Sequence, residues 1–111
     1  LDMLFAKGSK RLIVTVEKIV PHNQITSRPN MTFIPHSWVE AVVEVPFGTH
    51  PAPCDAFYDE DDDHMALYQK LAKEGTWYEE YAKKFIYGTK DHWEYLDKTM
   101  SASHMAKLIV R

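Results

Sequence analysis

The stretch Trp38-Val39-Glu40-Ala41-Val42-Val43-Glu44-Val45-Pro46-Phe47-Gly48-Thr49-His50-Pro51 decides the fold. Val39, Ala41, Val43 and Val45 alternate with Glu40, Val42 and Glu44. A period of two describes a β-strand with one dry face and one partly wet edge. Pro46 has no backbone N–H and ends the ladder. Gly48 permits a sharp turn, and His50-Pro51 is expected to keep the chain extended beyond it. Open α/β sheets place their ligands outside the carboxyl ends of strands, where a loop of this kind lies.

Upstream, Leu12-Ile13-Val14-Thr15-Val16 is a near-continuous apolar run, as in a central strand covered on both faces. Leu1, Leu4 and Phe5 stand at helical spacing, and Lys7-Gly8 reads as a helix C-terminus. No capping residue precedes Leu1, so the chain is expected to begin inside a helix, as the C-terminal part of a longer polypeptide. Glu17 falls at the carboxyl end of the first strand, facing the ligand crevice or capping a loop. Residues 21–37 are rich in Pro, Asn and Ser, a turn-forming composition. Within them 31–34 is expected to be a short strand, and Arg28 a solvated loop arginine.

Downstream, residues 51–54 should cross the surface in extended form. Asp59-Glu60-Asp61-Asp62-Asp63 crowds acids together but does not make a calcium loop. Counted from Asp59, His64 takes the place of the required Gly and Lys70 that of the bidentate Glu. The acids instead suit the positive end of a helix over about 62–73, with Met65, Tyr68, Leu71 and Ala72 as its apolar stripe and Gly75 as its stop. Thr76-Trp77-Tyr78-Glu79 reads as a capping box for a helix burying Tyr78, Tyr81, Ala82 and Phe85. Asp91-His92-Trp93-Glu94 repeats the device, with Trp93 and Leu96 inward. Residues 99–111 are expected to hold one or two helical turns.

The 111 residues are 45% hydrophobic and 26% charged, which marks one globular domain rather than a disordered chain. A net charge of −3 without a basic stripe excludes a nucleic-acid role, and no apolar run reaches the length of a membrane span. The single cysteine, Cys54, rules out an internal disulfide and fits the reducing cytoplasm. Asp55 beside it would raise the thiol's pKa, which argues against a nucleophile. A zinc site from Cys54, His50 and His64 lacks any tight ligand pair, so no metal is expected. His22, His36, His50 and His64 recur every 14 residues, a spacing matching no known repeat. His50, beside the strand end and the glycine turn, is the histidine placed for hydrogen bonding or proton transfer.

The run Val42-Val43-Glu44-Val45-Pro46-Phe47-Gly48-Thr49-His50-Pro51 resembles a signature of the A subunits of family I coenzyme A transferases, in the glutaconate CoA-transferase branch. Residues 12–20, Arg28-Pro29-Asn30 with Phe33-Ile34-Pro35, and Tyr58-Asp59 with the aromatic helices to Leu96 resemble the same family in the same order. The resemblance implies an α/β fold: the C-terminal part of a CoA-transferase-like open sheet (1–58) with a helical C-terminal extension (59–111). It implies a hetero-oligomer with a B subunit whose glutamate attacks the acyl thioester. CoA then passes through a glutamyl-CoA intermediate to a carboxylic acid. No segment here matches the motif around that glutamate, so neither Glu17 nor Glu44 inherits the role. Gly48, Thr49, His50 and Glu17 are the expected pocket wall, with coenzyme A as substrate and no cofactor. Two other readings remain open: a hydrolase of the same fold that cleaves a carbon–carbon bond in a CoA ester, and a non-catalytic module in which the aromatic helices bind a protein.

Overall fold

The computed structural model describes residues 3–25 and 29–110. The expectations placed on Leu1 and Arg28 lie outside the described residues. The fold is α/β, with a small parallel sheet and a series of helices. It divides into two compact units, Leu1–Gly48 and Thr49–Arg111. Among the described residues no helix is long and apolar enough to cross a membrane.

The first unit contains α1 (Met3–Gly8), β1 (Ile13–Val16) and β2 (Ala41–Glu44). The strands run parallel, with Ile13 opposite Ala41 and Val16 opposite Glu44. The Glu40 N–H donates to the Leu12 carbonyl and the Val45 N–H to that of Val16, both at 2.8 Å, which lengthens the ladder at each end. Pro46 then stops it. Among the described residues, the crossover that a parallel pair requires holds three 3-10 turns, His22–Gln24, Pro29–Met31 and His36–Trp38, and no α-helix. Pro21 and Pro35 immediately precede two of these turns. The strand expected over 31–34 is absent: Met31 closes a 3-10 turn, and Pro29 and Pro35 on either side remove ladder donors.

The expectation of dry strand faces also needs correction. Ile13 is 58% exposed, Val42 50% and Val43 45%, and Ala6 is the one buried residue among those described in this unit. A parallel sheet is ordinarily covered on both faces. Here the six-residue α1 turns only Ala6 inward and leaves Leu4 and Phe5 more than three-quarters exposed. The apolar faces of β1 and β2 therefore call for cover from outside the unit.

The second unit opens with turns rather than the expected extended passage, and the His50–Pro51 peptide is cis. Tyr58 pairs in antiparallel bridges with Cys54 on one side and Ile109 on the other, tying the start of the unit to its end. Four helices lie between: α2 (Asp62–Glu74), a π-helix (Tyr78–Tyr87), α3 (His92–Thr99) and α4 (Ala102–Leu108). Asp61 caps α2, and Gly75, at φ 77°, ends it in the left-handed conformation that only glycine adopts readily. On α2 the inward residues are His64 and Leu71, with Met65 half-buried and Ala72 exposed.

The expected capping box at Thr76 does not form: among the described residues no side chain caps the π-helix, and the Thr76 hydroxyl donates instead to the Glu80 carboxylate at 2.9 Å. The π-helix buries Tyr81, Ala82 and Phe85 but leaves Tyr78 exposed. Asp91 caps α3 as expected, accepting the Glu94 N–H at 2.9 Å. Trp93 faces outward, and Leu96 with half-buried Tyr95 takes the inner face. Leu71, Tyr81 and Phe85 form the core, with Trp77 and Tyr95 against it.

The two units should differ in stability. In the isolated 111-residue chain, hydrogen exchange is expected to be fast at the amides of β1 and β2 and slow at those of α2 and the π-helix. A single cooperative transition of the monomer that includes both strands would contradict this.

Candidate functional site

The chemistry-bearing side chains of the second unit converge on one carboxylate. Asp61 is 1% exposed. Its Oδ1 accepts the His64 N–H at 3.1 Å, the N-cap bond of α2. Its Oδ2 lies 2.8 Å from Nε2 of His50 and 3.1 Å from Nε2 of His104. His50 comes from the turn after residue 48 and His104 from α4, whose N-cap Ser101 accepts the His104 N–H at 3.2 Å. Two tyrosines extend the network. Nδ1 of His50 is 2.7 Å from the Tyr95 hydroxyl, and Nε2 of His64 is 2.7 Å from the Tyr81 hydroxyl. The rings of His50 and His64 sit 4.9 Å apart.

Charge follows from this geometry. Burial works against ionisation of Asp61, yet bonding from His50 and from the His64 N–H, with His104 nearby, holds its carboxyl below the usual range. Burial, with the neighbouring His50, pushes the His64 imidazole down and favours its neutral form. Burial likewise pushes the Tyr81 and Tyr95 phenols up, so both remain protonated. An ionised carboxylate can only accept. Nε2–H of His50 therefore donates to Asp61, and Nδ1 of a neutral His50 accepts from Tyr95. One ligand atom from each of His50, Asp61 and His64 falls within 4.8 Å of the others, a grouping able to hold a metal ion.

The residues predicted from sequence divide between two settings. The Glu17 carboxylate accepts the N–H groups of Phe47 and Gly48 at 3.0 and 3.2 Å, which pins the loop after β2 to the end of β1. At Gly48 a Cβ would lie 2.8 Å from the Val45 carbonyl oxygen, so the loop closes only around a glycine. Thr49 is engaged inside the second unit: its N–H donates to the Tyr58 hydroxyl at 3.0 Å and its hydroxyl to the Ala52 and Pro53 carbonyls at 3.2 Å. The His50 side chain is 1% exposed and both its ring nitrogens are engaged. Sequence reasoning placed His50 beside a strand end but missed Asp61, Tyr81, Tyr95 and His104 as its company. The 14-residue step from His50 to His64 and the three-residue step from Asp61 to His64 were the available signals.

No protein-family model matches the chain. It is 41% identical over 107 residues to an uncharacterized protein of Archaeoglobus fulgidus, covering 96% of this chain and 24% of that protein. It is 35% identical over 109 residues to the A subunit of glutaconate CoA-transferase of Acidaminococcus fermentans, covering 98% of this chain and 34% of that one. To the A subunit of 3-oxoadipate CoA-transferase of Pseudomonas knackmussii it is 31% identical over 93 residues, 84% of this chain and 32% of the relative. The crystal structure of glutaconate coenzyme A-transferase from Acidaminococcus fermentans superposes with a TM-score of 0.83 at 34% identity, over 98% of this chain and 34% of that chain. The chain thus spans at most 34% of the length of the curated relatives it matches.

Removing the hub should be costly. In the complete protein, Asp61→Ala is expected to lower unfolding stability by about 3–5 kcal/mol, since it strands the buried donor of His50 and the α2 cap and removes the partner of partly exposed His104. Asp61→Asn keeps an oxygen for the cap and should cost clearly less. Chemical denaturation of both variants checks the difference, and equal losses would contradict the assignment.

Proposed function

Because this chain is a relative of CoA-transferase A subunits along nearly its whole length, we propose that it forms the C-terminal part of one and supports transfer of CoA from an acyl-CoA to a carboxylic acid. The observation that carries this reading is the match to glutaconate coenzyme A-transferase, a TM-score of 0.83 at 34% identity over 98% of the chain. The two named relatives act on glutaconate and 3-oxoadipate, both dicarboxylic acids. A dicarboxylate is accordingly the acceptor class proposed here.

In this reading the nucleophile is a glutamate on a partner B subunit. It attacks the acyl thioester and CoA leaves. CoA thiolate attacks the glutamyl carbonyl of the resulting anhydride, giving glutamyl-CoA and releasing the first acid; the second carboxylate then attacks glutamyl-CoA, and the thiolate it expels takes the new acyl group and frees the glutamate. The exposure of β1 and β2 supports a segment that works inside a larger assembly, read here as a cytoplasmic hetero-oligomer with the B subunit. The part proposed for this chain is positional. Glu17 holds the loop of Phe47 and Gly48 at the carboxyl ends of two parallel strands, where α/β sheets receive ligands. Within the first unit Gly48 contributes to the wall and Glu17 braces it, and within the second Thr49 and His50 anchor the turn that follows.

The aromatic residues bear on the competing view of a protein-binding module. Tyr81 and Phe85 are buried in the core, which removes them as anchors, whereas Tyr87 and Trp93 stay exposed. Tyr68 and Tyr78 are exposed as well, so these helices divide their rings between packing and surface.

The complete A chain, co-expressed with its B partner, is expected to exchange CoA between an acyl-CoA and a panel of dicarboxylic acids, measured by liquid chromatography. Glu17→Ala should lower kcat/KM about tenfold, roughly 1.4 kcal/mol, by loosening the loop without removing the nucleophile. Absence of exchange across the panel would overturn the reading, and hydrolysis of a carbon–carbon bond in a CoA ester in its place would assign the related hydrolase chemistry.

A further inference from the structure

We propose that His50, Asp61, His64 and His104 form a four-ligand site for a divalent transition metal of the zinc type. The inference does not depend on the acyl-transfer reading.

The approach of the ligands carries the argument. Two imidazole Nε2 atoms, from different elements, aim at the same carboxylate oxygen of Asp61, at 2.8 and 3.1 Å. One ligand atom from each of His50, Asp61 and His64 lies within 4.8 Å of the others, and His104 joins them through its contact with Asp61. Zn–N and Zn–O bonds of about 2.0–2.2 Å in a tetrahedron place ligand atoms about 3.3–3.5 Å apart. The two Asp61 contacts need only a few tenths of an ångström of opening to reach that spacing. The group lacks the six to eight oxygens that calcium takes, whereas imidazole with one carboxylate suits zinc.

The surroundings have the form of a metal site's outer shell. With an ion bound, His50 would take the other tautomer, its Nδ1–H donating to the Tyr95 hydroxyl and its Nε2 lone pair free for the metal. The other Asp61 oxygen is fixed by the His64 N–H, which turns Oδ2 toward the histidines. Tyr81 orients the His64 ring. Partners of this kind set the tautomer and direction of the ligands themselves. The side chains of His50 and Asp61 are 1% exposed, so a bound ion would be shielded, while His104, at 31%, offers the way in. The site that sequence reasoning rejected used Cys54. The structure supplies Asp61 and His104 instead, with ligands at fixed positions on α2 and α4 and in the turn before them.

The test uses the complete protein, purified without a histidine tag, freed of metal by chelation and titrated with Co(II) and then Zn(II). The expected result is one equivalent of Co(II) per chain with the intense visible bands of four-coordinate cobalt, lost on adding zinc. Asp61→Asn should abolish those bands. His104→Ala, at the more exposed ligand, should weaken binding at least tenfold, and Tyr95→Phe by about 10–100-fold, as for other outer-shell partners. His22→Ala, outside the cluster, should leave binding unchanged. Circular dichroism establishes that each variant is folded. No stoichiometric uptake by the folded wild-type protein would overturn the proposal. So would uptake unchanged in both His104→Ala and Tyr95→Phe.

Discussion

The buried carboxylate of Asp61 is the constraint on which the second unit depends. A charge removed from water must be paired or hydrogen-bonded on every side, or the fold that buries it is unstable. Each of its oxygens is used, one by the first turn of α2 and the other by His50 and His104. Those partners recruit further ones. His50 brings the Tyr95 hydroxyl from α3, and His64 on α2 brings that of Tyr81 from the π-helix. A single acid thereby joins the opening turn, α2 and α4 directly and the other two helices through one intermediate each. The apolar core of Leu71, Tyr81 and Phe85 lies along the same elements, so polar and apolar packing favour the same arrangement.

The first unit is organised in the opposite way. Its order comes from backbone pairing between β1 and β2 and from Glu17 holding the following loop, with almost no buried side-chain area. An isolated strand pair is marginal in water. The alternation of Val39, Ala41, Val43 and Val45 is nevertheless that of a strand built for a covered sheet. The pattern describes the environment for which the strand was selected, and the exposure describes how much of it these residues supply.

This contrast decides what could be read in advance. Strand positions, the stop at Pro46, the acidic start of α2, the Gly75 cap and the Asp91 cap were legible because each depends on neighbours a few residues away. The Trp93 placement failed because a one-residue step turns a helix by about 100°, so one place in the chain separates Trp93 from an inward position. The capping box read at Thr76 failed because the helix that follows winds as a π-helix, which a 3.6-residue period does not describe, and no side chain among the described residues caps it. The role of Asp61 was hidden for another reason. In sequence it is one of five consecutive acids, and only the fold separates it from Asp62 and Asp63, which remain in solvent. Its partners His50 and His104 stand far from it along the chain, beyond the reach of local pattern.

The distribution of polar groups also bears on the division of labour in the proposed enzyme. An attacking group must have a free lone pair and access to substrate. Among the described residues, the side chains of His50, Asp61 and His64 in the second unit face inward, with ring nitrogens and carboxylate oxygens bonded within the network. At the carboxyl ends of β1 and β2, Glu17 meets two backbone N–H groups and Glu44 the N–H of Ile19 at 2.9 Å. A carboxylate bonded in this way gives up backbone hydrogen bonds if it leaves to attack a thioester, and the loop it holds loosens with it. Both glutamates are better suited to fixing a binding surface than to forming an anhydride. That is the chemical reason for assigning the nucleophile to another chain and for reading this one as the element that keeps the surface in place.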